Sequence, residues 1–172
     1  MAAKRNEASN RLKWILVTLI GCVILDQLTK WMAIAWLKNQ PPIIFPGNLF
    51  RFQYAENPGA FLSLGSQLSD SMRFWVFTVS VGAVLLACLY FLIKERQGDF
   101  FQTLAFSLLI GGGFSNLLDR IFRNEGRVVD FMNMGIGNLR TGIFNIADMA
   151  IMAGIGIILV RIPLSQEDAK RK

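Results

Sequence analysis

Histidine is absent from all 172 residues, so imidazole is removed both as a general base and as a metal ligand. Cysteine is nearly absent. Cys22 and Cys88 lie inside apolar runs and read as small buried hydrophobes, which argues against a disulfide or a metal site. Charge is scarce: 17% of residues are Asp, Glu, Lys or Arg, against about a quarter in a soluble domain. The few serines have no base beside them in sequence, and no GxxxxGK[ST] phosphate loop is present. We find no internal repeat of the kind that transporters show. Little is left that could do chemistry except carboxylates, amides and arginines.

What the chain has in excess is apolar surface: 53% of residues are hydrophobic, with 14 Phe and 4 Trp. The formal charge of +6 could suggest nucleic acid, but Lys and Arg mostly bracket apolar runs, as in an oriented membrane protein. The length allows one domain, residues 1–172. About 20 apolar residues cross a bilayer, and four runs approach that length: 14–37, 71–93, 100–118 and 144–160. Between them lie two outer regions, 38–70 and 119–143, and one tight polar turn at 94–99. Residues 49–54 alternate well enough for a strand. With the turn at 56–59 and the apolar residues 60–64, they predict a strand–turn–strand piece resting on the membrane or lining a groove. Residues 134–142 are Gly-rich and read as a flexible flap or a surface-lying segment. The charged tail, 163–172, reads as disordered. The basic N-terminus precedes a run too long for a cleaved signal peptide, so we expect it to be retained. Counting Lys and Arg puts ten on the side of the termini and seven on the other, with Lys30 inside the first span. This bias favours cytoplasmic termini.

Several polar residues sit where they are costly. Asp26 and Lys30 share a helix face in the first span. Lys30 either snorkels to the interface beside Trp31 and Trp36, or the pair faces a polar interior. Gly111, Gly112 and Gly113 permit close helix packing and lead into Asn116, Asp119 and Arg120, which share one face. Arg120 is placed to pair with another segment. Asn57 can cap its own turn. Asp130 lies on a loop between valines and phenylalanine, a setting that desolvates its carboxyl. Asp148 opens the last apolar run. If the fold unites Asp130 and Asp148, they make an acid pair sharing one proton, able to activate water without metal or cofactor. A small ion-coupled carrier would also keep intramembrane aspartates, and a structural subunit would keep the glycines.

The ordered segments DQLTK (26–30), YAENPGAF (54–61), GGGFSNLLDR (111–120), VVDF (128–131) and FNIAD (144–148) together resemble the lipoprotein signal peptidases of bacterial inner membranes. The resemblance covers nearly the whole apolar core. It implies an all-α polytopic fold of four transmembrane helices, with a small β-cradle and a flap loop on the outer face. It implies that Asp130 and Asp148 are a catalytic dyad. Asn57, Asn116, Arg120 and Asn145 would hold substrate or dyad, with Asp26 and Lys30 as a supporting pair. It further implies an aspartic endopeptidase, without metal or cofactor, that cuts a prolipoprotein before its diacylglyceryl-modified cysteine. Membrane phospholipid and the inhibitor globomycin would be its other partners; we expect a monomer that binds no nucleic acid. Two local departures from the pattern are Gly113-Phe114-Ser115 before Asn116, and Met149 after Asp148.

Overall fold

The structure is a computed structural model describing residues 2–59, 65, 67–95 and 99–170. Four helices carry it: α1 (Ala2–Leu37), α2 (Asp70–Lys94), α3 (Phe100–Phe122) and α4 (Ile146–Lys170). Among the described residues, Asn10–Leu37, Asp70–Lys94 and Phe100–Phe122 are long and apolar enough to cross a membrane, with mean hydropathies of 1.7, 2.5 and 1.3. Local chemistry sets their starts. Ser69 caps α2 by accepting from the Met72 amide, and Asp99 caps α3 by accepting from the Gln102 amide at 2.8 Å. Asp99 also pairs with Arg161 of α4, and the Gln102 amide followed by Arg161 holds its carboxyl below the usual range. The Phe74–Ser80 stretch of α2 is wound in wide π-type turns.

Burial is inverted relative to a soluble bundle. Val17, Trp31, Val84, Phe91 and Leu159 face outward, whereas Asp26, Lys30, Ser107, Ser115, Asp119 and Asn145 are at most 1% exposed. Apolar residues outside and paired polar residues inside suit a bundle solvated by hydrocarbon. The helices approach closely because of the glycine triplet, whose members face three different neighbours. A Cβ at Gly111 would lie 2.9 Å from Cys22 Cβ of α1, and one at Gly113 would lie 2.6 Å from the Leu85 side chain of α2. At Gly112 it would lie 2.4 Å from the backbone carbonyl oxygen of Ala147 in α4. The triplet therefore makes α3 the central helix.

At one end of the bundle sits a four-stranded antiparallel sheet, in the order β1 (Ile43–Ile44), β2 (Phe50–Asn57), β3 (Val128–Ile136) and β4 (Leu139–Arg140). It packs Phe50, Phe52, Tyr54, Phe131 and Met132 against Ala33 and Leu37 at the end of α1. A second apolar cluster, Ile15, Leu92 and Ile110, closes the other end.

Several expectations are corrected. Asp130 is on a strand, not a loop: β3 pairs with β2, which lies some seventy residues earlier in the chain. The segment read as a flap or a surface-lying segment forms the β3–β4 hairpin, hydrogen-bonded within the sheet. Asp119 and Arg120 belong to the last turn of α3, which runs to Phe122. The backbone of α4 stays helical through Lys170, where we expected a stop near 160 and a disordered tail from 163. Pro163 forfeits only one intrahelical bond, and Gln166, Glu167, Ala169 and Lys170 are good helix formers. The strand expected at 60–64 lies outside the described residues, as do 96–98 of the polar turn and 171–172 of the tail.

Backbone cannot yield as a side chain can, so the two glycine contacts predict different outcomes. Gly112→Ala is expected to cost about 1–3 kcal/mol through overpacking, read as a melting temperature several degrees lower in detergent. Gly113→Ala, which meets only the flexible Leu85 side chain, is expected to cost less.

Candidate active site

Three backbone features bring the polar residues together. The register of β2 against β3 sets Asn57 opposite Val128 and Ala55 opposite Asp130, so Asn57 and Asp130 are diagonal neighbours on one face. Beyond β3, Phe144 exchanges backbone hydrogen bonds with Met132, which delivers Asn145 beside Asp130. Helix α4 then begins, with Asn145 at its cap and Asp148 in its first turn.

Asn145 and Asp148 form a reciprocal capping box. Asn145 Oδ1 accepts from the Asp148 amide at 2.9 Å, and Asp148 Oδ2 accepts from the Asn145 amide at 3.2 Å. The same Asn145 side chain donates through Nδ2 to Asp130 Oδ1 at 2.7 Å. Asn57 Nδ2 donates to the other Asp130 oxygen at 3.0 Å, and Asn116 Nδ2 donates to Asp148 Oδ1 at 3.0 Å. Asn145 Nδ2 also reaches Asn116 Oδ1 at 3.1 Å, so two amides link the two carboxylates. Asp130 is 2% exposed. Burial, and then the charge of Asp148, push its carboxyl up to about 7 against the opposing hydrogen bonds from Asn57 and Asn145.

Beneath this pair lies a buried ionic network. The Lys30 ammonium uses all three protons: on Asp26 at 2.7 Å, on Asp119 at 2.9 Å and on Asn116 Oδ1 at 2.8 Å. Lys30 is fully buried, so the snorkelling alternative fails. Asp26 accepts from Ser115 Oγ at 2.7 Å and from the Ala147 amide at 2.8 Å. Asp119 accepts from Gln27 at 3.1 Å, Arg123 at 2.7 Å and the Val129 amide at 3.1 Å. Each network carboxylate therefore grips the backbone amide of the residue just before Asp148 or Asp130.

Arg120 does pair with other segments, through backbone. It donates to the Gly59 and Gly126 carbonyls and lies over the Phe77 ring, 5.3 Å from its centroid. Asn57 also performs the turn-capping role, its Oδ1 accepting from the Gly59 amide at 2.9 Å. Arg120 and Asn57 thus hold the same turn. Among the described residues, no group of three or more His, Cys, Asp or Glu side chains clusters as metal ligands do.

A family model described as signal peptidase (SPase) II matches residues 18–164. The chain belongs to the signal peptidase II family. It is 31% identical over 150 residues to the lipoprotein signal peptidase of Halalkalibacterium halodurans, covering 87% of this chain and 92% of that protein. It is 36% identical over 151 residues to that of Polynucleobacter necessarius subsp. necessarius, covering 86% and 87%. Two solved structures, each described as a bacterial membrane enzyme, align with TM-scores of 0.71 and 0.70 at 29% and 31% identity. They cover 92% and 86% of this chain and 91% of each of those chains. Membership makes the chain a protease, and the carrier and structural-subunit alternatives fall. Every polar residue of the cluster lies within the matched span.

All eight residues singled out from the sequence of this peptidase fall in this one connected cluster. Sequence reasoning missed Gln27, Ser115, Arg123 and the role of Asp119. Asp119 carried a signal, since it is three residues from Asn116 and on the same helix face. Its partners on α1, Gln27 and Lys30, are far away in sequence.

The raised Asp130 carboxyl makes a prediction about stability. A group whose folded pKa lies above its unfolded value binds more protons in the folded state, so its contribution is complete below about pH 4 and is lost as pH rises through about 7. Melting temperature measured from pH 4 to 8 is expected to fall more steeply for the native chain than for Asp130→Asn.

Proposed function

We propose that this protein is an aspartic endopeptidase that removes the signal peptide from diacylglyceryl-modified prolipoproteins, cutting just before the lipidated cysteine. One observation carries this reading: Asp130 and Asp148 share a cradle of asparagine amides, bridged by Asn145, in a chain of the signal peptidase II family. The lipoprotein signal peptidases it is similar to support the substrate class.

In the proposed reaction Asp130 carries the shared proton and Asp148 is ionised. Asp148 takes a proton from water as the water oxygen attacks the scissile carbonyl carbon, and Asp130 gives its proton to the carbonyl oxygen. Collapse of the tetrahedral intermediate breaks the C–N bond. The leaving nitrogen takes the proton from Asp148, and Asp130 recovers the hydroxyl proton. The products are the signal peptide carboxyl and a free α-amine on the lipidated cysteine. No metal or cofactor enters. Asn116 and Asn145 orient the pair, Asn57 holds Asp130 from the strand side, and Arg120 fixes the turn beside it.

The same reading assigns α4 as a fourth span, both termini to the cytoplasm and the sheet to the outer face of the bacterial inner membrane. Two acyl chains anchored in hydrocarbon then bring the scissile bond to the outer end of α4, so that lipid supplies orientation. Globomycin is the inhibitor expected to occupy the same cradle, and the working unit is a monomer.

Asp130→Asn and Asp148→Asn are each expected to reduce cleavage of a diacylglyceryl-modified precursor by at least about a thousandfold while the protein still inserts, since neither carboxylate can serve both proton transfers. Near-normal turnover by either variant sinks the dyad. The pH dependence is a separate check: kcat/KM is expected to fall on the basic side as pH rises through about 7, where Asp130 loses its proton. A profile flat to pH 9 would show that the acid is another group.

A further inference from the structure

At the sheet end away from the aspartates, two arginines stand together with no acid partner among the described residues. The β1–β2 and β2–β3 registers place Ile44, Arg51 and Asn133 in one row, and Arg140 pairs with Gly135 two residues on, on the same face. Gly135 leaves room for the Arg140 stem: a Cβ there would lie 2.6 Å from Arg140 Cγ. Asn48 draws the two together, Arg51 Nε donating to its side-chain oxygen at 2.6 Å and Arg140 Nη1 to its backbone oxygen at 2.8 Å. Arg140 Nε is used by Asn133, but its Nη2 is enclosed with no acceptor. Among the described residues the ion pairs involve Lys30, Lys38, Arg73, Arg123, Arg127 and Arg161, and neither Arg51 nor Arg140. Two like charges held side by side with unused guanidinium donors call for an oxyanion.

The surroundings say which oxyanion. Ile43, Ile44, Leu49, Ile136 and Leu139 fringe this end of the sheet and are 51–84% exposed. Ile136 and Leu139 flank the tip of the β3–β4 hairpin, which turns at Gly137 with φ +57°. Exposed aliphatic tips around unpaired arginines suit a bilayer interface, where apolar residues enter the acyl boundary and cations meet phosphate. The sheet packs on the end of α1, beside exposed Trp36, so it leaves the bundle at a helix end.

We propose that this end of the sheet is a docking site for the headgroup of an anionic phospholipid, whose phosphodiester sits between Arg51 and Arg140 while Ile136 and Leu139 enter the acyl boundary. The proposal rests on the reading that the sheet faces the outer leaflet. A diacylglyceryl cysteine has no phosphate, so this lipid is a bound neighbour of the substrate and not the substrate itself. Docking here would hold the β2–β3 pairing, and with it Asp130, at a fixed depth.

The test uses the full chain in detergent, loaded with phosphatidylglycerol or phosphatidylcholine, with retained lipid counted by native mass spectrometry. The wild-type protein is expected to hold one phosphatidylglycerol at concentrations where phosphatidylcholine is not retained. Arg51→Gln with Arg140→Gln should weaken retention on the order of tenfold or more. Arg140 also fastens Asn48 and Asn133, so two further variants guard against misfolding: Arg51→Gln alone, and Ile136→Ser with Leu139→Ser. Both should weaken retention with circular dichroism unchanged. Equal retention of the two lipids, or undiminished retention in the arginine variants, overturns the site. Full displacement by millimolar inorganic phosphate also overturns it, because the pair would then be a site for phosphate rather than lipid. Asp130→Asn, run in parallel, should retain phosphatidylglycerol as the wild type does, so loss of cleavage and loss of lipid binding are read separately.

Discussion

Lys30 is the charge on which the bundle turns. Its ammonium is fully buried between Asp26 of its own helix and Asp119 of α3, with its third proton on Asn116. Arg123, itself partly exposed, adds a second positive charge against the buried Asp119, so two cations balance two carboxylates. A buried pair of this kind is weak evidence for stability, but deleting one partner strands the other and costs about 3–5 kcal/mol. What the network contributes is placement. Asp26 binds the Ala147 amide and Asp119 binds the Val129 amide, so one lysine ties together the two backbone points that carry Asp148 and Asp130.

The layer above is built of amides for a physical reason. An asparagine side chain donates and accepts while remaining neutral, so it can bridge two carboxyl groups whichever of them holds a proton. Charged neighbours would hold one protonation state in place. Burial favours the neutral acid and the amide donors favour the anion, and for Asp130 the balance falls near neutrality. The proposed sharing of one proton needs such a balance. The departure at Ser115 is absorbed in the same way: its hydroxyl is one of the donors on Asp26.

Local signals in the sequence were legible and long-range ones were not. The spacing of Asp26 and Lys30 announced a pair on one helix face, and the pair is there. The glycine triplet announced close packing, but that its members meet three different helices could not be read from one chain segment. Asp130 was misplaced on a loop because Val128–Ile136 has no clean alternation, being buried on both faces along much of its length, and because its partner strand is remote. The glycines of the supposed flap made it look loose. In the structure Gly135 accommodates the Arg140 stem and Gly137 makes the hairpin turn. Asp130 and Asp148 were legible as a candidate pair mainly through the resemblance, whose ordered segments mark positions that composition alone leaves open.

The capping box of α4 has a consequence for how such a site fails. Asn145 begins the helix, and the same side chain holds Asp130. Fraying the first turn by one residue would take the Asn145 amide from Asp148 and the Asn145 side chain from Asp130 in a single event. The smallest unit that can be lost is thus a helical turn rather than a residue. Asn145 and Ala147 are fully buried and the Ala147 amide is held by Asp26, so the turn is fastened to the same network that joins the helices. Support of the two carboxyl groups and closure of that turn are one condition, so whatever loosens the first turn of α4 releases Asp130 and Asp148 together.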